Sequence, residues 1–135
     1  MIFTLLCDIQ YNIDGGGSVE ITHDNLALNG IVQELRRGTI TLAVLSQLKQ
    51  PQYGYSLVVL MNEKGFNIEA NTLYPLLRRL ENQEILDSFW DTDGAKPRKY
   101  YKLSEFGKDV YSKLCVAWNE INNGLDYLVN EEASR

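Results

Sequence analysis

At 135 residues, with 44% hydrophobic content and a net charge of −5, the chain has the size and make-up of one globular domain, or of one domain with an added segment. It has no apolar run long enough to span a bilayer, and its apolar start, Met1 to Cys7, lacks the basic stretch and small-residue cleavage site of a signal peptide. Two cysteines, Cys7 and Cys115, and one histidine, His23, form no metal-ligand pattern and are expected in a reduced, cytoplasmic protein without a metal.

The charge is unevenly spread. Residues 33–103 hold ten Lys and Arg against eight Asp and Glu, a net +2, whereas the flanks hold three against ten, a net −7. A mildly basic middle between acidic ends suits a nucleic-acid reader with its positive charge on one face, and suits a neutral interaction domain nearly as well.

Residues 1–25 read as an N-terminal extension of uncertain role. Gly15-Gly16-Gly17 interrupts any regular structure there, and Val19 to Thr22 has the pattern of a short strand. Three glycines are also what a purine-rich ribosome-binding site encodes in frame, and Val19 fits a GTG start. Translation from near Val19 is therefore an expectation that an N-terminal peptide from residues 1–14 would exclude. Asp24 or Asn25 is expected to cap a helix over 26–49, with Leu28, Ile31, Val32, Leu35, Ile40, Val44, Leu45 and Leu48 on its apolar face. Gly38 is expected to break this helix or to allow close packing. Gln50-Pro51-Gln52 ends it.

A second helix opens at Tyr53-Gly54-Tyr55, buries Leu57, Leu60 and Met61, and is closed by Gly65. A third covers 70–83. Its Leu73, Leu76, Leu77 and Leu80 recur at i, i+3, i+4 and i+7, with Asn71 or Thr72 as cap and Pro75 in the first turn. Asn71, Tyr74 and Arg78 lie off the apolar stripe, where they would face a polar, negative partner. Two short helices joined by a tight turn, the second carrying that face, form a helix-turn-helix pattern.

The period then changes to two. Residues 85–90 read as a strand with Leu86, Ser88 and Trp90 on one side, Thr92 to Ala95 as a turn, and Lys96 to Leu103 as the returning strand. A helix-turn-helix followed by such a charged ribbon is a winged helix. Alternation allows only one of Arg98 and Lys99 to face outward with Lys96. Ser104 caps a last helix with Val110, Leu114, Trp118, Ile121, Leu125 and Leu128 on one stripe. At about 25 residues and about 37 Å, this helix is too long for a small winged-helix body to cover, which implies a partner helix from a second copy.

Arg36-Arg37-Gly38-Thr39, Tyr53-Gly54-Tyr55, the Thr72–Glu81 block and the block Gly94…Pro97-Arg98-Lys99-Tyr100-Tyr101-Lys102-Leu103-Ser104…Gly107 together resemble the PadR family of bacterial transcriptional regulators, over about residues 33–129. The resemblance implies a mainly α fold with a small β-hairpin, a winged helix-turn-helix over 26–103 and a dimerisation helix and tail over 104–135. It implies a homodimeric repressor of a palindromic double-stranded operator, released by a small aromatic effector, as in the short subfamily with one terminal helix. Asn71, Thr72, Tyr74, Arg78, Arg79, Lys96, Arg98 and Lys99 are the expected DNA contacts, and Trp118, with Tyr111 and Cys115 beside it, the expected effector site. Each has a plainer reading: Tyr74 as support for the wing, Arg79 as a solvated charge, Asn71 as a cap, Trp118 as interface packing. One departure stands out, since Glu84 occupies the place where the family usually has glycine.

Enzymatic readings lack their parts. There is no Gly-rich phosphate loop and no nucleophile and base in a recognisable motif, so neither catalysis nor a cofactor is expected. The alternative of a different class is a winged-helix module for protein–protein contact without DNA binding.

Overall fold

The computed structural model describes residues 23–131; the expectations for residues 1–22 lie outside them. The elements run α1 (His23–Ser46), β1 (Gln52–Tyr53), α2 (Gly54–Glu63), α3 (Ala70–Asn82), β2 (Leu86–Asp91), β3 (Arg98–Leu103) and α4 (Glu105–Asn130). This is the winged-helix architecture expected from the sequence, with a three-stranded antiparallel sheet in place of a two-stranded ribbon.

The additional strand is β1. Gln52 and Tyr53 pair with Tyr101 and Tyr100, giving the order β1-β3-β2, while β2 pairs with β3 from Leu86↔Leu103 to Asp91↔Arg98. Two residues carry no readable period, so this strand was invisible in the sequence. It forms because β3 would otherwise present an unpaired edge beside the end of α1.

Helix α1 runs unbroken through Gly38, and a side chain added there would meet nothing within 4 Å, so the glycine neither breaks the helix nor serves close packing. One glycine costs about 1 kcal/mol in a helix. The burial of Val44, Leu45 and Leu48 one to three turns later outweighs that, at about 1.5–3 kcal/mol for each fully buried aliphatic side chain. Asp24 and Asn25 fall inside the first turn of α1 rather than before it.

Helix α3 begins at Ala70, as expected, but with a different cap. Glu69 takes the cap position in extended conformation (φ −92°, ψ 150°) without a side-chain hydrogen bond, so neither Asn71 nor Thr72 caps the helix. The carbonyl of Glu69 instead accepts from the amides of Thr72 and Leu73, both at 3.0 Å. Pro75 consequently lies in the second turn, where its ring removes the donor that the Asn71 carbonyl would have met. Asn71 is exposed, which leaves that carbonyl to water.

Helices α2 and α3 end in the same way. After α2, the amide of Gly65 donates to the Asn62 carbonyl and that of Phe66 to Met61; after α3, Glu84 donates to Glu81 and Ile85 to Leu80. Both are Schellman turns, whose first residue past the cap must be left-handed. Gly65 meets this at φ 80° without strain, and Glu84 meets it at φ 61° despite its side chain. The departure at position 84 therefore keeps the turn and strains one residue.

Ser104 caps α4 as expected, accepting the Gly107 amide at 2.8 Å. Leu73, Leu76, Leu77 and Leu80 of α3 pack with Val44 and Leu45 of α1, Leu48 just past its end, Leu57 and Met61 of α2, and Leu86, Tyr101 and Leu103 of the sheet. The described residues divide into two units, 36–115 and 23–35 with 116–131, and every buried hydrophobic side chain among them belongs to the first. In the second, Leu28, Ile31 and Leu35 of α1 and Trp118, Ile121, Leu125 and Leu128 of α4 are exposed.

Glu84 is solvent-exposed, so its only evident constraint is backbone conformation. Glu84→Gly should therefore stabilise the protein by about 1 kcal/mol, the usual order of the left-handed penalty. Urea denaturation would show this as a higher midpoint at unchanged slope.

Candidate nucleic-acid interface

The apolar stripe of α3 fixes what its other side presents. With Leu73, Leu76, Leu77 and Leu80 buried, Asn71, Thr72, Tyr74, Pro75, Arg78 and Arg79 are turned outward and exposed. Pro75, Arg78, Arg79, Asn82 and Gln83 line an open groove along this side. Neither arginine is in an ion pair among the described residues.

Tyr74 is 38% exposed, and its orientation comes from α2. Gly54 is buried against the Tyr74 ring, and a methyl group at position 54 would collide with ring atoms Cε1 and Cζ and with the hydroxyl. Gly54 thus provides the seat on which the Tyr74 ring lies. Nothing in the sequence pairs these two residues, since the contact needs both helices in place.

The wing sorts its cations by strand alternation. Lys96 is exposed at the tip, where Asp91, Gly94, Ala95 and Arg98 line a surface recess with it. The Asp91 carboxylate accepts the Asp93 amide at 3.0 Å and shapes the turn. Arg98 lies on the sheet face away from α3, its guanidinium 4.8 Å from the Tyr53 ring centroid. There Tyr53 meets Tyr100 edge-on at 5.7 Å, and Tyr100 stacks on Phe89 at 5.4 Å, so an aromatic ladder crosses all three strands beneath Arg98.

Lys99 points to the other face and is engaged within the subunit. Its ammonium donates to Glu81 Oε2 of α3 at 2.9 Å, while the Ser88 hydroxyl donates to Glu81 Oε1 at 2.7 Å. Of the two neighbouring cations, Lys99 is the one that pairs inside the subunit and Arg98 the one that stays on the outer face. Glu81 and Ser88 were not singled out from the sequence. The register puts Ser88 and Lys99 on one face of the sheet, diagonally across β2 and β3, but only the position of α3 shows what they hold. Glu81 is held below the usual carboxylate range, first by the Ser88 hydroxyl and then by Lys99, and the hydrogen bond to Glu81 raises Lys99 above its usual value.

The residues expected around an effector all lie on α4. Tyr111 is half-buried against the core, with the Lys49 ammonium 5.3 Å from its ring centroid. Cys115, one turn further along α4, and partial burial hold the Tyr111 hydroxyl above its usual value. Trp118 is 39% exposed on α4.

The link of Glu81 to the wing has a defined pH window. A carboxyl whose pKa is lowered by folding stabilises the fold above the unfolded carboxylate range and loses that contribution as pH falls through the lowered value. A raised lysine keeps its contribution until strongly alkaline pH. Glu81→Gln should cost about 1 kcal/mol near neutrality, and the difference from the parent should close below about pH 4. Paired thermal melts from pH 3 to 8 would show it. Gly54→Ala should cost about 1–3 kcal/mol through overpacking, and adding Tyr74→Ala should recover part of that loss. A double-mutant cycle with no coupling would rule out the seat.

Residues 41–113 match the family model described as the transcriptional regulator PadR-like family. A PadR family transcriptional regulator from Eggerthella lenta DSM 2243 has a similar structure, with TM-score 0.75 and 47% identity, covering 78% of this chain and 94% of the other. An uncharacterized protein of Lysinibacillus sphaericus is 32% identical over 84 residues, 58% of this chain and 76% of that protein. Bacillus subtilis PadR, solved in complex with operator DNA, shares the fold at TM-score 0.54 and 22% identity, covering 58% of this chain and 46% of its own. With the family match spanning more than half of its length and a relative 47% identical over the aligned part, the chain belongs to the PadR-like family of transcriptional regulators.

Proposed function

We propose that this protein is a cytoplasmic repressor that binds a palindromic operator as a homodimer and leaves it when a flat, hydrophobic effector binds. The observation that carries the reading is the outward side of α3. It offers Tyr74, Arg78 and Arg79, with Asn71 and Thr72 at its start, and leaves both arginines without a carboxylate partner among the described residues. Arginine forks and a tyrosine hydroxyl are suited to phosphate oxygens and base edges. Lys96 and Arg98 on the wing supply a second grip on the backbone, and Lys99 acts indirectly by tying the wing to α3 through Glu81. The complex of Bacillus subtilis PadR with operator DNA supports this use of the shared fold.

The homodimer rests on the uncovered apolar rows. Leu28, Ile31 and Leu35 on α1 and Trp118, Ile121, Leu125 and Leu128 on α4 are each 39% exposed or more. Rows of this length on a water-soluble helix call for a covering surface, and a second copy supplies one by two-fold symmetry. Trp118 lies within the α4 row, where a planar aromatic compound would find a stacking partner; Tyr111 and Cys115 precede it on the same helix.

Fluorescence anisotropy with the protein's own promoter duplex tests the reading. Affinity should fall steeply with salt through counterion release. Tyr74→Ala and Arg78→Ala should each remove most operator binding while leaving the sedimentation coefficient of the dimer unchanged. A flat salt dependence, or no binding to the promoter, would favour a protein-interaction module instead. Planar aromatic compounds should quench Trp118 fluorescence in proportion to operator release; quenching without release would separate binding from regulation.

A further inference from the structure

The DNA reading above uses the outward side of α3 and the wing, and leaves a second groove without a role. That groove lies between α1 and α3. Arg37, Ile40 and Thr41 of α1 line it together with Thr72, Pro75, Leu76 and Arg79 of α3. Its volume is about 380 Å³, and no carboxylate lines it. Both arginines are exposed, and no ion pair among the described residues uses either. Two guanidinium groups and two hydroxyls around a shallow recess are a donor set for a tetrahedral oxyanion, with each arginine able to give two parallel N–H bonds. Thr72 sits in the first turn of α3, where the helix dipole adds further positive potential.

The groove is not separate from the reader side. Arg79 and Pro75 line both this recess and the groove that holds Arg78, so a single surface runs from one to the other. An anion in the recess would therefore stand next to whatever lies along α3, which favours a phosphate of the DNA backbone over a free ion.

We propose that the recess between α1 and α3 seats one backbone phosphate of the operator, gripped jointly by Arg37 and Arg79, with the Thr41 and Thr72 hydroxyls as further donors. This makes Arg37 and Thr41 of α1 additional DNA-binding residues. It rests on the DNA reading above and gives Arg79 a partner in place of a solitary role. A shared phosphate contributes sequence-independent affinity, so its loss weakens promoter and unrelated DNA alike.

The test is a salt series of anisotropy titrations with the full chain on its promoter duplex and on a scrambled duplex. Arg37→Gln should weaken both by a similar factor, roughly tenfold at low salt, since a charge-assisted contact is lost. Arg37→Lys, which keeps the charge and gives up the fork, should fall between. The double variant Arg37→Gln/Arg79→Gln should lose about one unit of the log–log salt slope, one phosphate's worth. Lys113→Gln is the control: it removes the same charge from a side chain of α4 that pairs with Asp109, and both titrations should match the parent. If Arg37→Gln behaves like Lys113→Gln while the parent binds, the phosphate seat is overturned and the DNA reading stands. A slope change of about two units in the double variant would put the arginines on separate phosphates and overturn the shared seat. Loss on the promoter alone would indicate base reading and overturn it as well. Inorganic phosphate that raises the melting temperature of the parent but not of Arg37→Gln, with DNA affinity equal in the two, would make the recess a free-anion site. A parent that binds neither duplex would remove both readings.

Discussion

The turn at Glu84–Ile85 is the constraint on which the arrangement of the DNA-reading unit depends. Within a few residues α3 ends, β2 begins and α4 is anchored. The two Schellman hydrogen bonds fix the exit of the chain from α3. The Ser104 hydroxyl donates to the Glu84 carbonyl at 2.6 Å, and the Ser104 amide donates to the Ile85 carbonyl at 3.1 Å, which holds the end of β3 and the start of α4 against the same turn. Gly107 completes the junction. A side chain there would run into the Ile85 carbonyl, so the first turn of α4 can approach only because that position is bare. The angle between α3 and the wing is therefore set by backbone hydrogen bonds at one place, and the Glu81 carboxylate braces it from a second place through Ser88 and Lys99.

That bracing explains how the positive charge is divided. A winged helix needs cations that reach outward and also needs its wing held at a constant angle. Lys99 serves the second need, held by Glu81 of α3. Arg98, its neighbour, is carried to the opposite face by the pleat and lies over the aromatic ladder of Tyr53, Tyr100 and Phe89. The short strand β1 matters here, because Tyr53 is the ring on which the guanidinium rests. A two-stranded ribbon would leave Arg98 without that platform. The net charge of −5 is compatible with DNA reading because the exposed Arg36, Arg37, Arg78, Arg79 and Arg98 all lie within residues 33–103, whereas the acidic excess lies in the flanks.

The parts legible in the sequence are those with a period or a covalent peculiarity. Leu73, Leu76, Leu77 and Leu80 announce both α3 and its outward side, Ser104 announces the start of α4, and the change to a two-residue period announces the wing. The parts that were not legible depend on contacts between elements. Gly54 is informative only when the Tyr74 ring lies on it. Strand alternation states that Arg98 and Lys99 diverge, and Glu81 decides which of them is tied. Gly38 looked like a break by local propensity, and the buried residues that follow it kept α1 continuous. Glu84 stands where the family usually has glycine, and the chain adopts the left-handed conformation there all the same, because four backbone groups and Ser104 depend on it. In each case a weak local preference of about 1 kcal/mol gave way to several tertiary interactions acting together.

The division of the core also separates stability from affinity. All the buried aliphatic side chains among the described residues lie within 36–115, so that unit has its own core. The uncovered apolar rows lie outside it, on the first part of α1 and the last part of α4. In the proposed dimer, pairing would then contribute little to the folding of the reader and a great deal to its binding. Two linked readers engage two half-sites with a high effective concentration for the second contact, provided their spacing is held constant. An effector that repacks the covering of Trp118 and its neighbours would change this spacing without touching α3. Release of DNA in that scheme requires no distortion of Tyr74, Arg78 or Arg79, only that the two copies cease to present them in register.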